Sequence, residues 1–539
     1  MAAPELPAPD VTLAVADQAA LDTALGGLVD DRFASRLLAG DATLWGPDAE
    51  PEASKRLSWT TLAESSRPLV AQVESLRDEL RGRGLDHVVL CGMGGSSLAP
   101  EVICAAAGVE LTVLDSSQPD MVRSALADRL ERTVVVVSSK SGGTVETDSQ
   151  RRAYEQAFTD AGLSPADHIV VVTDPGSPLD EQATEAGYRV FHADPEVGGR
   201  YSALTAFGLV PSGLAGADVG ALLDEAAAAS DTLFADDSAN PALALGAALG
   251  VANRTGVDKL VLLDHDAGTS GAWGLGDWVE QLVAESTGKI GRGILPVVVP
   301  STHAVNVDPS TPDSFLAVTG SSTPPASTSG WAAGVTGGLG AQMLLWEVAV
   351  VVAGSLLGIN PFDQPDVESA KQAARDKLGG GSSDDAEPDV VEDGIAASGT
   401  TAGSLADAVD ALLADLDPDH GYVAVQAYLD RWHLGVYAGL RELLARRTGR
   451  PVTFGWGPRF LHSTGQYHKG GPATGVYLQL TSEPVEDLAV PGRDFTFGEF
   501  IASQAAGDAQ VLRDHGRPVL TLHLDDAEAA AARVRELLA

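Results

Sequence analysis

The chain has 539 residues, 44% hydrophobic and 20% charged, with a formal net charge of −40. That composition is globular, long enough for two to four domains with ample core, and so acidic a surface excludes nucleic acid and anionic membrane as expected partners. Any anion site must bring its own positive field, and the chain has only seven lysines.

Residues 1–85 read as a mainly helical N-terminal segment with a loop around 46–52. From 86 to 215 strands and helices alternate: VVLC, LTVLD, TVVVVSS, HIVVVTD and YRVFHA are apolar strands with helical periods between them. Such alternation predicts a parallel sheet with helices on both faces and ligands at the carboxyl ends of its strands. A mostly helical stretch, 198–256, leads into a second α/β block. The second domain, residues 216–378, takes in helical segments of that stretch and continues from KLVLLD (259–264) through a helix GAWGLGDWVEQLVAES and the strands ILPVVV and SFLAVTG to a long helix starting near Gly337. In that helix the apolar run 348–359 is too short to span a bilayer and reads as buried. Residues 379–402 are rich in Gly, Ser and acids and read as a flexible linker. Residues 403–539 form a C-terminal α/β section with YVAVQAYL, VTFGW, GVYLQL and VLTLHL as strands. The predicted class is α/β: two doubly wound parallel-sheet domains plus the C-terminal section. Cys91 and Cys104 are too few for a disulfide framework and fit a reducing compartment. The acidic, proline-rich opening MAAPELPAPD has no signal-peptide pattern, so a cytoplasmic location is expected.

Two glycine–serine loops carry the chemical signal. GMGGSS follows VVLC, and SSKSGGT follows TVVVV and precedes a helical segment. At a strand-to-helix switch, free backbone N–H groups and the positive helix end attract an anion. Two such loops in one α/β unit predict a sugar-phosphate pocket. In WVEQLVAESTGK, Gln281 and Glu285 are i and i+4 and share a helix face. Near the helix C-terminus the dipole raises the pKa of Glu285, which suits a general base. In NPFDQPDVESAK, Gln364 and Lys371 share a face two turns apart, and Lys371 is placed to protonate or polarise a sugar oxygen. In GGRYS two glycines allow close backbone approach, and Arg200 suits an oxyanion. PRFLHSTGQYHKGGPATG gathers His462, His468 and Lys469 in one polar loop.

GMGGSSLAPEV, SSKSGGTVET, GGRYS, QLVAESTGK and PFDQPDVESAK, in that order over residues 88–378, resemble the motifs of the glucose-6-phosphate isomerase (phosphoglucose isomerase) family. The C-terminal segment resembles the isomerase half of bifunctional transaldolase/glucose-6-phosphate isomerase proteins. The resemblance implies two SIS-type domains and reversible isomerisation of glucose 6-phosphate and fructose 6-phosphate through a cis-enediol, in glycolysis and gluconeogenesis, without cofactor or metal, by a monomer or homodimer. It implies Gly95 and Ser96 at the substrate, with Ser139, Lys140, Ser141 and Thr144 on its phosphate and Gln281 and Gln364 on the sugar. Arg200 is implied to stabilise charge, Glu285 to move the proton between C2 and C1, and Lys371 to assist ring opening. Two positions depart from the family. Asp366 stands where a small residue is usual, and the ring-opening histidine falls in a stretch where this chain has only His303, in VVVPSTHAVN. His462 or His468, from a loop closing over the pocket, are the alternatives. The competing readings are a broader phosphoglucose/phosphomannose isomerase and a non-catalytic SIS-type sugar-phosphate regulator. A transaldolase half would need a further barrel of about 250 residues, for which the N-terminal segment has no room.

Overall fold

The computed structural model describes residues 8–264, 274–365, 378 and 387–539. The N-terminal segment opens with a strand, β1 (Asp10–Ala14), before the helices Gln18–Asp30, Phe33–Leu38 and Arg67–Gly82. The first sheet follows: β2 (His87–Gly92), β3 (Thr112–Leu114), β4 (Thr133–Ser138), β5 (Ile169–Thr173) and β6 (Arg189–His192). All are parallel, in the order β3-β2-β4-β5-β6. Val88, Leu90, Val134, Val136 and Val170 face the helices Arg67–Gly82 and Ala206–Ala215 through Val73, Leu76, Leu80, Phe207 and Val210. Val89, Cys91, Val135, Val137 and Val171 face the helices Pro119–Ala127 and Val145–Asp160 through Met121, Val122, Tyr154 and Phe158. Successive side chains of a strand point to opposite faces, so a strand covered on both must be apolar throughout. That is why these strands read as unbroken apolar runs. The connections diverge where strand order reverses, between β2 and β4, and there a ligand crevice opens. Gly92 pairs with Ser138 across that point, which sets the two glycine–serine loops side by side.

The second sheet comprises β7 (Lys259–Asp264), β8 (Leu295–Val299), β9 (Ser314–Thr319) and β10 (Ala332–Thr336), in the order β1-β10-β9-β7-β8. Its own four strands are parallel, and β1 adds antiparallel to β10. Helical periodicity in the first 85 residues conceals β1, whose burial alternates only weakly. The Leu339–Leu357 helix is apolar on every side because it is buried on every side. By length and composition it matches a membrane span, with a mean hydropathy of 1.7, yet 83% of the stretch is buried inside the fold.

The third sheet comprises β11 (Val390–Glu392), β12 (Ile395–Ser398), β13 (Tyr422–Tyr428), β14 (Val452–Trp456), β15 (Gly475–Ser482) and β16 (Val519–Leu524), in the order β11-β12-β16-β15-β13-β14. The composition of 379–402 predicts a linker. Residues 379–386 lie outside the described residues, but β11 and β12 form a hairpin that extends this sheet antiparallel to β16. Its turn is Asp393–Gly394, at φ of 52° and 74°. Asp-Gly is the residue pair such a turn favours, and here it is embedded in a run of acids. The second and third sheets share a core in which Val261, Leu263, Leu316 and Val318 meet Tyr422, Ala424, Tyr467 and Tyr477.

Candidate active site

Three loops converge at the carboxyl end of the first sheet. A Cβ on Gly95 would lie 2.0 Å from the Gly199 carbonyl oxygen, and one on Gly94 would lie 2.9 Å from both the Cβ and the carbonyl oxygen of His462. The first loop is therefore packed against the GGRYS loop on one side and a turn of the third section on the other. Ser96 is half-buried beside them. In the second loop the Ser139 hydroxyl accepts the Gly142 amide at 3.2 Å and lies 3.3 Å from Thr144 Oγ1, while Ser141 Oγ accepts the Gly143 amide at 3.2 Å. The Lys140 ammonium is paired with Asp174 at 2.8 Å and donates to the Pro195 carbonyl at 3.1 Å. Burial raises the Asp174 carboxyl above the usual range, against the pull of Lys140.

Arg200 is the hub. The Leu275–Thr287 helix presents Gln281, Glu285 and Ser286 to it. Its Nε donates to Ser286 Oγ at 2.9 Å, Nη1 to Glu285 Oε2 at 3.2 Å and to Gln364 Oε1 at 3.1 Å, and Nη2 to the carbonyls of Pro361 at 2.7 Å and Asp363 at 3.0 Å. Tyr201 Oη lies 3.0 Å from Ser286 Oγ. Glu285 is 5% exposed. Burial is the largest cause pushing its carboxyl up; Arg200, the Gln281 hydrogen bond and His462 oppose it. Gln281 Nε2 donates to Glu285 Oε1 at 3.3 Å and to the His462 carbonyl at 2.8 Å. Lys289, also buried, donates to the Asn360 carbonyl at 2.5 Å and meets Asp363 at 2.8 Å. Burial, then Arg200, pushes it down to about 7. Two buried cations thus hold residues 360–364 against Glu285. Lys371 and Asp366 lie outside the described residues.

Of the three candidate histidines, only His462 reaches this cluster. It closes the Arg459–His462 turn, and its ring Nε2 lies 3.2 Å from Glu146 Oε1. The same Glu146 oxygen accepts from Gln504 Nε2 at 2.7 Å. His468 is instead a core residue: its Nδ1 lies 3.0 Å from Tyr422 Oη, and its ring stacks on Tyr422. Burial, reinforced by Lys469 and Arg517, pushes it down to about 3, so it stays neutral and cannot shuttle protons near pH 7. His303 is exposed in the loop after β8, with its amide on Ser301 Oγ. Among the described residues its contacts include none of the cluster. Both candidacies are thus corrected by placement.

The structure therefore brings together Gly95, Arg200, Gln281, Glu285, Gln364 and His462. Glu146, Ser286, Tyr201 and Gln504 join them without having been singled out. Glu146 was legible, standing just past the SSKSGGT loop, whereas nothing local marks Gln504. Among the described residues no group of three or more His, Cys, Asp or Glu is arranged to hold a metal ion.

A sequence model of the family described as phosphoglucose isomerase matches residues 64–294. The chain is 29% identical over 382 residues to a probable glucose-6-phosphate isomerase of Natronomonas pharaonis, covering 62% of this chain and 88% of that protein. It is 30% identical over 383 residues to a glucose-6-phosphate isomerase of Synechococcus elongatus, covering 60% and 72%. Against several other curated relatives it spans about half of their length. A hypothetical protein of Thermus thermophilus superposes with a TM-score of 0.58 at 26% identity, over 69% of this chain and 100% of that one.

Proposed function

Because this chain belongs to the phosphoglucose isomerase family, we propose that it interconverts glucose 6-phosphate and fructose 6-phosphate with Glu285 as the base. The observation that carries the reading is the setting of Glu285: a buried carboxylate of raised pKa, 3.2 Å from Arg200 Nη1. Aldose–ketose isomerisation needs a base for the C2 proton, a cation for the oxyanion that develops beside it, and an acid–base group to open the sugar ring. Glu285 takes the C2 proton and returns it to C1. Arg200 faces the negative charge of the enediol intermediate, and Gln281 and Gln364 orient the sugar hydroxyls. The Ser139, Ser141 and Thr144 hydroxyls with the loop amides hold the phosphate, and Lys140 adds its positive field beside them. Anchoring that remote group spends its binding energy on positioning the carbon that reacts. His462, oriented at Nε2 by Glu146, moves protons between the ring oxygen and the anomeric hydroxyl as the ring opens.

The test is conversion of fructose 6-phosphate to glucose 6-phosphate, read through glucose-6-phosphate dehydrogenase, for wild type and Glu285→Gln. The wild type turns over, and the variant, isosteric but without a basic oxygen, loses about 100- to 10,000-fold in kcat. Turnover that survives the substitution moves the base elsewhere.

A further inference from the structure

Two arginines of the third section reach across to the first sheet and meet the same pair of carboxylates. Arg431 pairs with Glu101 at 3.1 Å and with Asp115 at 3.2 Å. Arg459 pairs with Glu101 at 2.6 Å and also with Asp115. All four side chains are buried, none more than 11% exposed. Glu101 lies on the Leu98–Ala107 helix that follows the first glycine–serine loop, and Asp115 stands just past β3. Two guanidiniums on two carboxylates make a charge-balanced buried cluster, but the two arginines hold different parts of the chain. The difference is where the second one sits. Arg459 begins the Arg459–His462 turn. Its guanidinium fixes the start of that turn, while Gln281 Nε2, 2.8 Å from the His462 carbonyl, fixes its end. Between these anchors the turn lies on Gly94, where even one added carbon would collide with His462 at 2.9 Å. The residue after the turn, Ser463, is 3.5 Å from Glu280 Oε1 on the helix that carries the base.

We propose that Arg459 is the positioning residue that presents His462 to the substrate pocket, through its ion pairs with Glu101 and Asp115; the inference rests on the role given to His462 above. Arg459 touches no substrate. It acts by denying the turn freedom to withdraw from the pocket, and a shift of about 1 Å in a reacting group is worth up to about 100-fold in rate.

The test is a double-mutant cycle in kcat with Arg459→Met and His462→Ala in the full chain. Arg459→Met leaves Arg431 bridging both carboxylates but one buried negative charge uncompensated, so its melting temperature is measured beside the kinetics. It lowers kcat about 10- to 100-fold with KM within about twofold. In the His462→Ala background the same substitution costs nothing further, since the group it positions is gone. A general loosening of the site would instead add its full cost to the double variant, and that result overturns the proposal, as does unchanged kcat in Arg459→Met. Full kcat in His462→Ala alone refutes the role of His462 and the inference with it, a different result from failure of Arg459 by itself. Arg459→Lys keeps the charge but puts a compact, rotatable ammonium in place of the rigid planar guanidinium. It carries the same cycle should the methionine variant not fold, and wild-type kcat in it also overturns the proposal.

Discussion

Gly95→Ala is the sharpest probe of how the pocket is built. A Cβ there would stand 2.0 Å from the carbonyl oxygen of Gly199, 2.4 Å from its carbonyl carbon and 3.1 Å from its Cα. All three are backbone atoms, so no rotamer relieves the clash. Real contacts of this kind essentially never fall below 3.0 Å, so the two segments must part by about 1 Å. Gly199 is bonded to Arg200, whose guanidinium reaches Glu285 Oε2 at 3.2 Å and Gln364 Oε1 at 3.1 Å. The displacement is therefore delivered to the Arg200 guanidinium, which the proposed function sets against the developing oxyanion. A 1 Å error there costs about 100-fold in kcat, or about 2.7 kcal/mol of transition-state stabilisation. KM moves less, because the 139–144 loop lies on a neighbouring strand. The assay is the coupled dehydrogenase measurement with full kinetics. Gly199→Ala is the matched control, since a Cβ there meets nothing within 4 Å, and it retains turnover. Gly95→Ala with kcat within about threefold of wild type would refute the reasoning, and so would equal losses in the two variants.

Two further predictions concern the buried titratable groups. His468, held near 3 by burial, binds fewer protons folded than unfolded between its two pKa values. Its contribution to stability is therefore lost as pH falls below about 6.5. His468→Gln leaves both limbs of the pH–rate profile in place and removes about 2 kcal/mol of the stability lost between pH 7 and 5; thermal melts with an unchanged pH slope would count against it. Glu280 runs the other way. Burial, then Asp277, pushes it up to about 8, so the folded state holds the extra proton. That contribution is complete below about pH 4.5 and declines as pH rises towards 8. Glu280→Gln keeps the neutral shape and flattens the fall in melting temperature between pH 5 and 8, though Asp277, pushed up to about 7, leaves a residual slope. A fall as steep as wild type would mean that Glu280 is ionised in the fold.

The local signals were strong where one segment holds all the information. Unbroken runs such as Thr133–Ser138 announce strands covered on both faces. The glycine–serine loops mark where those strands hand over to helices, and the spacing of Gln281 and Glu285 puts both on one helix face. Where a feature depends on a remote partner, the same kind of reading falters. β1 is a strand only because β10 offers an edge more than 300 residues away. The Asp393–Gly394 turn is legible, but only β16 gives its hairpin a sheet to join. Lys140 sits in a loop suited to an anion, yet its ammonium is on Asp174.

The histidines show the division most clearly. His462 and His468 are six residues apart in one polar loop, and no local pattern ranks them. Their roles separate because the third sheet packs on the second through Tyr422, Tyr467 and Tyr477, which buries one ring and leaves the other beside Glu146. The amino-acid sequence by itself determined the α/β architecture, the two glycine–serine loops and the shared helix face of Gln281 and Glu285, because those rest on short-range periodicity and on covalent neighbours. The tertiary structure alone decided which histidine ring lies beside Glu146, what pushes the Glu285 carboxyl up and which arginines pair with Glu101 and Asp115. Burial and charge pairing are set by groups brought together across hundreds of residues, and no window of sequence contains them.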